Sequence, residues 1–286
     1  MALRMSNVES VMNCTDGTVR DRLWMWGHFA GSHDAPRYGL TKTSRMTPAE
    51  GALYLGVPNV LLIRYEGKPA VSSFDQEALA LSPFKRVVWS ATGAGGATDQ
   101  EEREATRKLL IRYPNFVGVI MDDYFRTHKR VNGNRVAIEP GEQMAVFGLD
   151  ELRALKEKFA QRDFWVTLYT HQLDFPVKAQ LEMMDVITLW TRNDDDLPQL
   201  EKQLSKLETM VPKARKVLGC YMWDYLGDKK PLPASLMKYQ CELGLDWLKK
   251  KRIEGMIFLS NNICDMSLEA VDWTRRWIQQ VGDQRV

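Results

Sequence analysis

The run Phe116-Val-Gly-Val-Ile-Met-Asp-Asp-Tyr124 decides the fold. It is apolar until it ends in two aspartates. Parallel strands covered on both faces read this way, because helices bury one side and packed side chains the other. Seven more runs share its character: Arg22–His28, Asn59–Tyr65, Arg86–Ala91, Phe164–His171, Asp185–Thr191, Val217–Tyr225 and Gly255–Asn261.

The stretches between them carry helical spacing. Thr98–Tyr113 has Asp99, Glu101, Glu102 and Glu104 in its first turns, which suits a helix N-terminus. Leu149–Gln161 places Leu152, Leu155 and Phe159 on one side, and Leu197, Leu200, Leu204 and Leu207 form another apolar face. Leu236, Tyr239, Leu243 and Trp247 predict a seventh stripe, and Ala270, Trp273, Trp277 and Val281 the last, with Ser267 just ahead of it. Eight strands alternating with about eight helices in 286 residues predict an α/β fold, a (β/α)8 TIM barrel. The barrel is expected to form a single domain over 1–286, with 1–21 as an N-terminal extension. A doubly wound open sheet is the alternative, but Gly27–Asp34 after the first run lacks the Gly-x-Gly-x-x-Gly fingerprint. Gly93-Ala-Gly-Gly96 reads as a flexible loop rather than a phosphate cradle.

Barrels of this kind carry their sites at the C-terminal ends of the strands. Those ends hold Trp26 and His28, with His33 and Asp34 in the loop behind them, then Arg64 and Tyr65, then Trp89, then Asp122, Asp123 and Tyr124. They continue with Tyr169 and His171, then Trp190 and Arg192, then Trp223 and Asp224, and finally Asn261. Alternation along the fourth run puts Gly118, Ile120 and Asp122 on one face, the lumen side, since that set contains the small residue. Asp123 then faces the rim, where it meets a backbone amide, an arginine or a ligand. Two carboxylates over one mouth, ringed by aromatics, suit glycoside hydrolysis. One protonates the leaving oxygen; the other attacks the sugar or supports the cationic transition state. Asp122, Asp123 and Asp224 are therefore the catalytic candidates. Trp26, His28, Arg64, Trp89, Tyr124, Tyr169, His171, Trp190, Trp223 and Asn261 are the substrate-binding ones. The plain alternatives are a helix cap or ion pair for each aspartate, and core packing for each tryptophan.

Gly118-Val-Ile-Met-Asp-Asp-Tyr-Phe125 resembles the strand-four motif of glycosyl-hydrolase-like barrel proteins, roughly Gly-Ile-His-Leu-Asp-Asp-Tyr-Phe. The resemblance covers about eight residues and implies a (β/α)8 fold, a carbohydrate substrate and a role for Asp122, extending to Asp123 and Tyr124. This sequence departs from the pattern after Phe125, where Arg126-Thr-His-Lys stands in place of Tyr-Pro. No glutamate ends the fourth to seventh runs. An aspartate must then serve as acid, or Glu139 or Glu142 from the loop behind the fourth run.

The expected function is a carbohydrate-active enzyme, a glycoside hydrolase needing no cofactor and no metal. Two alternatives remain. One is a metal-dependent sugar isomerase, epimerase or lyase holding its ion through His28, Asp122, His171 and Asp224; the other is a barrel that binds carbohydrate without cleaving it. Composition narrows the partners. With 39 Lys+Arg against 37 Asp+Glu the net charge is +2, which argues against a nucleic-acid binder driven by bulk charge. Lys249–Arg252 and Asp194–Asp196 read as helix-end charges. No run reaches the roughly 18 apolar residues of a membrane span. The four cysteines are scattered, which suits reduced thiols and a cytoplasmic protein. Nine tryptophans, nine tyrosines and ten phenylalanines are the remaining oddity, to be divided between core and mouth.

Overall fold

The computed structural model describes residues 17–131, 134–139, 141–159, 162–191, 193–225 and 227–286. Cys14, Arg192 and residues 1–16 of the expected extension lie outside the described residues. Among the described residues ten strands form: β1 Leu23–Gly27, β2 Asn59–Leu62, β3 Arg86–Thr92, β4 Phe116–Met121, β5 His128–Val131, β6 Asn134–Ala137, β7 Asp163–Tyr169, β8 Val186–Trp190, β9 Arg215–Tyr221 and β10 Gly255–Leu259. Eight of them close a parallel barrel in the order β1-β10-β9-β8-β7-β4-β3-β2. All eight apolar runs are therefore barrel strands. The two others, β5 and β6, pair as an antiparallel hairpin inside the long loop after β4. The expected strand pattern held no sign of that hairpin, because its residues are mostly polar and exposed.

The helices are α1 Pro48–Leu55, α2 Phe74–Leu81, α3 Gln100–Arg112, α4 Leu149–Lys158, α5 Lys178–Leu181, α6 Leu200–Met210, α7 Ala234–Lys249 and α8 Glu269–Val281. The start of α3 differs from expectation by one residue. Asp99, not Thr98, is its cap, accepting from the Glu102 amide at 2.7 Å, while Thr98 turns to the Ala91 carbonyl. The stripe expected for α7 is rotated in part. Its buried side is Met237, Gln240, Cys241, Gly244, Leu245, Trp247 and Leu248, so Trp247 of the expected stripe is buried while Tyr239 faces out. Trp277 seals α8, and Trp273 stacks on it from the half-buried side. Residues 17–21 do not behave as an extension. Val19 is fully buried, and its amide bonds the Gln284 carbonyl at 2.8 Å, so they close the barrel against the C-terminus.

The lumen is filled rather than open. At its lower end Trp24 meets Trp165 edge-on from across the barrel, with ring centroids 5.0 Å apart. The Arg86 guanidinium lies 4.7 Å over Trp24, and its Nε donates to Asn59 Oδ1 at 3.1 Å. The next layer pairs Trp26 with Trp190, again edge-on at 5.0 Å. The Trp190 indole N–H donates to Thr188 Oγ1 at 2.8 Å. Its ring lies on the bare backbone of β9: a Cβ on Gly219 would stand 2.0 Å from a ring carbon. Glycine there is a packing requirement set by the ring opposite. This tryptophan layer closes the barrel from below and forms the floor of everything above it.

Candidate active site

Above that floor opens a cavity of about 490 Å³, lined among others by Trp26, His28, Tyr169, Trp190, Tyr221 and Leu259. Asp122 and Asp123 enter it together from the end of β4. Asp122 points up the lumen face, as strand alternation predicts. It is only 4% exposed and accepts from Thr167 Oγ1 at 3.0 Å. Its backbone is pinned to Thr92 in both directions: the Asp122 amide donates to the Thr92 carbonyl, and Thr92 Oγ1 donates to the Asp122 carbonyl. Burial, aided by the charge of Asp123, holds the Asp122 carboxyl well above the usual carboxylate range.

Asp123 turns out of the strand in a left-handed conformation, at a φ of 45°. That turn brings two consecutive carboxylates to one mouth, where continued strand would have sent the second outside. Asp123 Oδ1 accepts from the Tyr169 hydroxyl at 2.8 Å and Oδ2 from the Gly95 amide at 2.8 Å. Burial and the Asp123 charge push the Tyr169 phenol well above its ordinary range, so it stays a donor. The pair is thus asymmetric. Asp122 is biased toward its neutral acid form, and Asp123 is held by two neutral donors. Environments that drive two neighbouring carboxyls apart divide the roles of acid and base between them. The Gly93–Gly96 segment, expected as a flexible loop, is the turn that supplies one of those donors.

Several sequence candidates do other work. Trp89 points outward from β3, fully buried between Phe74 and Phe116, and never reaches the mouth. Strand parity explains it: Ser90 and Thr92 take the inner face. Tyr124 is buried beneath the loop, its hydroxyl donating to the Phe147 carbonyl at 3.2 Å. Asn261 clamps the first loop, donating to the carbonyls of His28 and Met46 and accepting from the His28 amide at 2.9 Å. Trp223 donates to the Tyr38 carbonyl at 3.1 Å. Asp224 does not join the other aspartates. Its oxygens accept from the Gly227 and Asp228 amides at 2.8 and 2.6 Å, which shapes the loop after β9, and it faces a separate cleft of about 10 Å³. His171 is exposed and stacks on Tyr169. Glu139 and Glu142 are exposed beside the hairpin, Glu142 paired with Lys129.

Arg64 is turned away from the cavity into an ion pair with Glu102 at 2.5 Å, between the loop after β2 and α3. Burial raises the Glu102 carboxyl to about 7 against the opposing pull of Arg64. A raised acid binds its proton better in the folded chain, so its contribution to stability is present below about pH 4.5 and lost as pH rises through 7. Arg64→Gln removes the ion-pair partner of this buried carboxyl and is expected to cost about 2 kcal/mol near pH 8. The cost shrinks toward pH 5, where Glu102 takes up a proton. Thermal melts of variant and parent at both pH values check this; an equal loss at both would contradict it.

His28 lies in the cavity wall with both ring nitrogens engaged. Trp26 Nε1 donates to its Nε2 at 2.9 Å, which leaves Nδ1–H to donate to the Ile63 carbonyl at 3.0 Å. Burial lowers its pKa to about 4, so it is a neutral structural imidazole rather than a free base or ligand. His33, expected at the mouth from the loop after the first run, lines the same cavity. It sits 3.1 Å from the Tyr225 hydroxyl through Nδ1, with Ser260 Oγ near. Burial first, then His28 and Arg37, lower its pKa too. For these histidines the unfolded chain binds protons more readily, so their stabilising effect is full above about pH 6.5 and lost as pH falls toward 4. His28→Gln is therefore expected to flatten the acid side of the stability profile, read as melting midpoints from pH 7 to 4.5 against the parent. A slope unchanged by the substitution would rule the assignment out.

Tyr38, Tyr65, Tyr221 and Tyr225 complete the mouth. The sequence signal for Tyr38 was weak, because it lies on the long first loop rather than at a strand end. The ligand set His28, Asp122, His171 and Asp224 does not converge. Among the described residues no three His, Cys, Asp or Glu side chains come together as a metal site. No described helix is long and apolar enough to cross a membrane. Cys220, Cys241 and Cys264 are free and buried.

Solved structures match the architecture. An active domain of a chitinase from Pyrococcus furiosus aligns at a TM-score of 0.51 and 13% identity, over 84% of this chain and 83% of that one. Concanavalin B aligns at 0.53 and 11% identity, over 91% and 99%. A probable 2-pyrone-4,6-dicarboxylic acid hydrolase from Acinetobacter baumannii aligns at 0.50 and 12%, over 91% of each chain. No protein-family model matches the sequence, and no curated protein does. Identities this low speak for the fold alone, and the fold is settled: the chain is a (β/α)8 barrel of the kind on which a chitinase and other hydrolases are built.

Proposed function

We propose that the protein is a carbohydrate-active enzyme that hydrolyses glycosidic bonds in the mouth above Trp26 and Trp190. The observation that carries the reading is the asymmetric pair Asp122 and Asp123 at the end of β4, one biased toward its acid form and one held by Tyr169 and Gly95. In the mechanism Asp122 protonates the departing glycosidic oxygen as the glycosidic bond breaks, and a water molecule adds to the anomeric carbon in its place, its proton returning to the Asp122 carboxylate. Asp123 carries the negative charge that steadies the oxocarbenium-like transition state, and the Tyr169 hydroxyl fixes its orientation. The half-buried tyrosines of the wall offer flat faces to sugar rings. Asp224, the partner acid expected from its strand-end position, has no part in this scheme. A chitinase on the same fold is consistent with the reading but does not decide it.

The test is a panel of aryl glycosides and oligosaccharides followed by reducing-end release. Turnover of at least one member, abolished by substitution of the aspartate pair, supports the proposal. Binding without any turnover over long incubation would replace it with a sugar-binding barrel.

A further inference from the structure

His33 is held on one side only. It reaches the mouth from the loop after β1, three strands round the ring from Asp122 and Asp123 on β4. Its Nδ1 lies 3.1 Å from the Tyr225 hydroxyl and 3.4 Å from Ser260 Oγ, and those two oxygens are 3.3 Å apart. Its Nε2 meets no partner among the described residues and is open to the cavity. His28, by contrast, has both ring nitrogens engaged within the wall.

The triangle of hydrogen bonds decides which nitrogen carries the proton. Burial, with His28 and Arg37 nearby, keeps the His33 ring neutral, so one nitrogen has a hydrogen and the other does not. Burial also keeps the Tyr225 phenol protonated. Were Nδ1 protonated, three hydrogens would converge on two oxygens, and one buried hydroxyl would have no acceptor among the described residues, a costly arrangement. With Nδ1 bare, Ser260 donates to Tyr225 and Tyr225 to Nδ1. Every hydrogen then has an acceptor, and each bond polarises the next. The ring hydrogen sits on Nε2, facing the cavity. Tyr38, Tyr225 and His28 pack on the ring with centroids 4.7, 4.8 and 4.9 Å away, so this uncharged donor is fixed before any ligand arrives.

We propose that His33 is a specificity-determining residue, its Nε2–H donating to one hydroxyl oxygen of the bound sugar; the inference rests on the reading of the same mouth as a carbohydrate site. A sugar lacking that hydroxyl leaves the donor without an acceptor inside the mouth, and the site discriminates against it.

Nitrogen NMR of the full-length protein, labelled at histidine, tests the donor without any ligand. Near pH 7 the spectra are expected to show His33 protonated at Nε2, its signals assigned by their loss in His33→Phe. A hydrogen on Nδ1 would overturn the proposal. Monodeoxy forms of a glycoside that the panel shows to be bound then test the contact by calorimetry. Removal of one particular hydroxyl is expected to cost the parent about tenfold in affinity, and His33→Phe less than about threefold at that position. Losses at the other positions should match in the two proteins. Equal losses in parent and variant at every position would overturn this inference and leave the glycosidase reading standing. If no glycoside is bound or cleaved, both fall.

Discussion

Asp122→Asn is expected to lower glycoside hydrolysis by about 10²–10⁴-fold, the usual contribution of a positioned general acid. The amide keeps the shape of the side chain and can still accept from Thr167 Oγ1, which lies 3.0 Å from Asp122 Oδ1, but it has no proton to give. The fold should survive, since a neutral group replaces a buried carboxyl that burial already biases toward neutrality. Circular dichroism and melting separate loss of chemistry from loss of structure. The pH profile carries a second check. Activity of the parent requires protonated Asp122, so it declines on the alkaline side as pH rises through the raised Asp122 pKa. Asp123→Asn acts differently: it removes the charge that steadies the transition state and also part of what keeps Asp122 protonated, which shifts that alkaline limb to lower pH. A variant pair with parental activity on a cleaved substrate would remove both residues from the mechanism.

Trp190→Ala is expected to destabilise the barrel by about 3–5 kcal/mol, because the emptied volume lies in the closed lumen where neighbours cannot collapse into it. Gly219→Ala fails by the opposite route: its new methyl would stand 2.0 Å from the Trp190 ring, a clash worth about 1–3 kcal/mol. The two changes are therefore coupled. With the ring gone, the added methyl fills space instead of colliding, and the double variant should be more stable than the sum of the single losses predicts. Denaturant unfolding of the four proteins gives the coupling directly. Simple additivity would mean that the ring does not rest on that glycine.

The barrel itself was legible because its strands are covered on both faces, and few architectures besides a closed parallel barrel bury eight apolar runs in a chain of this length. Ends of elements were legible too, with Asp99 only one position from the expected cap. The hairpin β5–β6 was not, since exposed polar strands leave no apolar trace. Within the site, strand parity placed Asp122 correctly but could not foresee the turn at Asp123. That depends on a backbone conformation rather than on composition. The candidates assigned by position alone divided along parity and loop geometry. Trp89 lay one residue out of phase with the lumen, and Asp224 ended in a loop whose amides claim both its oxygens. Tyr38 comes from further along the same long loop as His33, and only the folded chain shows that this part of the loop also returns to the mouth.

The edge-on pair of Trp26 and Trp190 gives the protein a built-in optical reporter. These two indoles form the cavity floor, whereas Trp24, Trp89, Trp247 and Trp277 are sealed in the interior. A molecule settling into the mouth comes against the floor pair, while the others do not line the cavity. Its arrival is therefore written into the intrinsic emission of the protein, and occupancy can be followed in solution without a label or a chromogenic substrate.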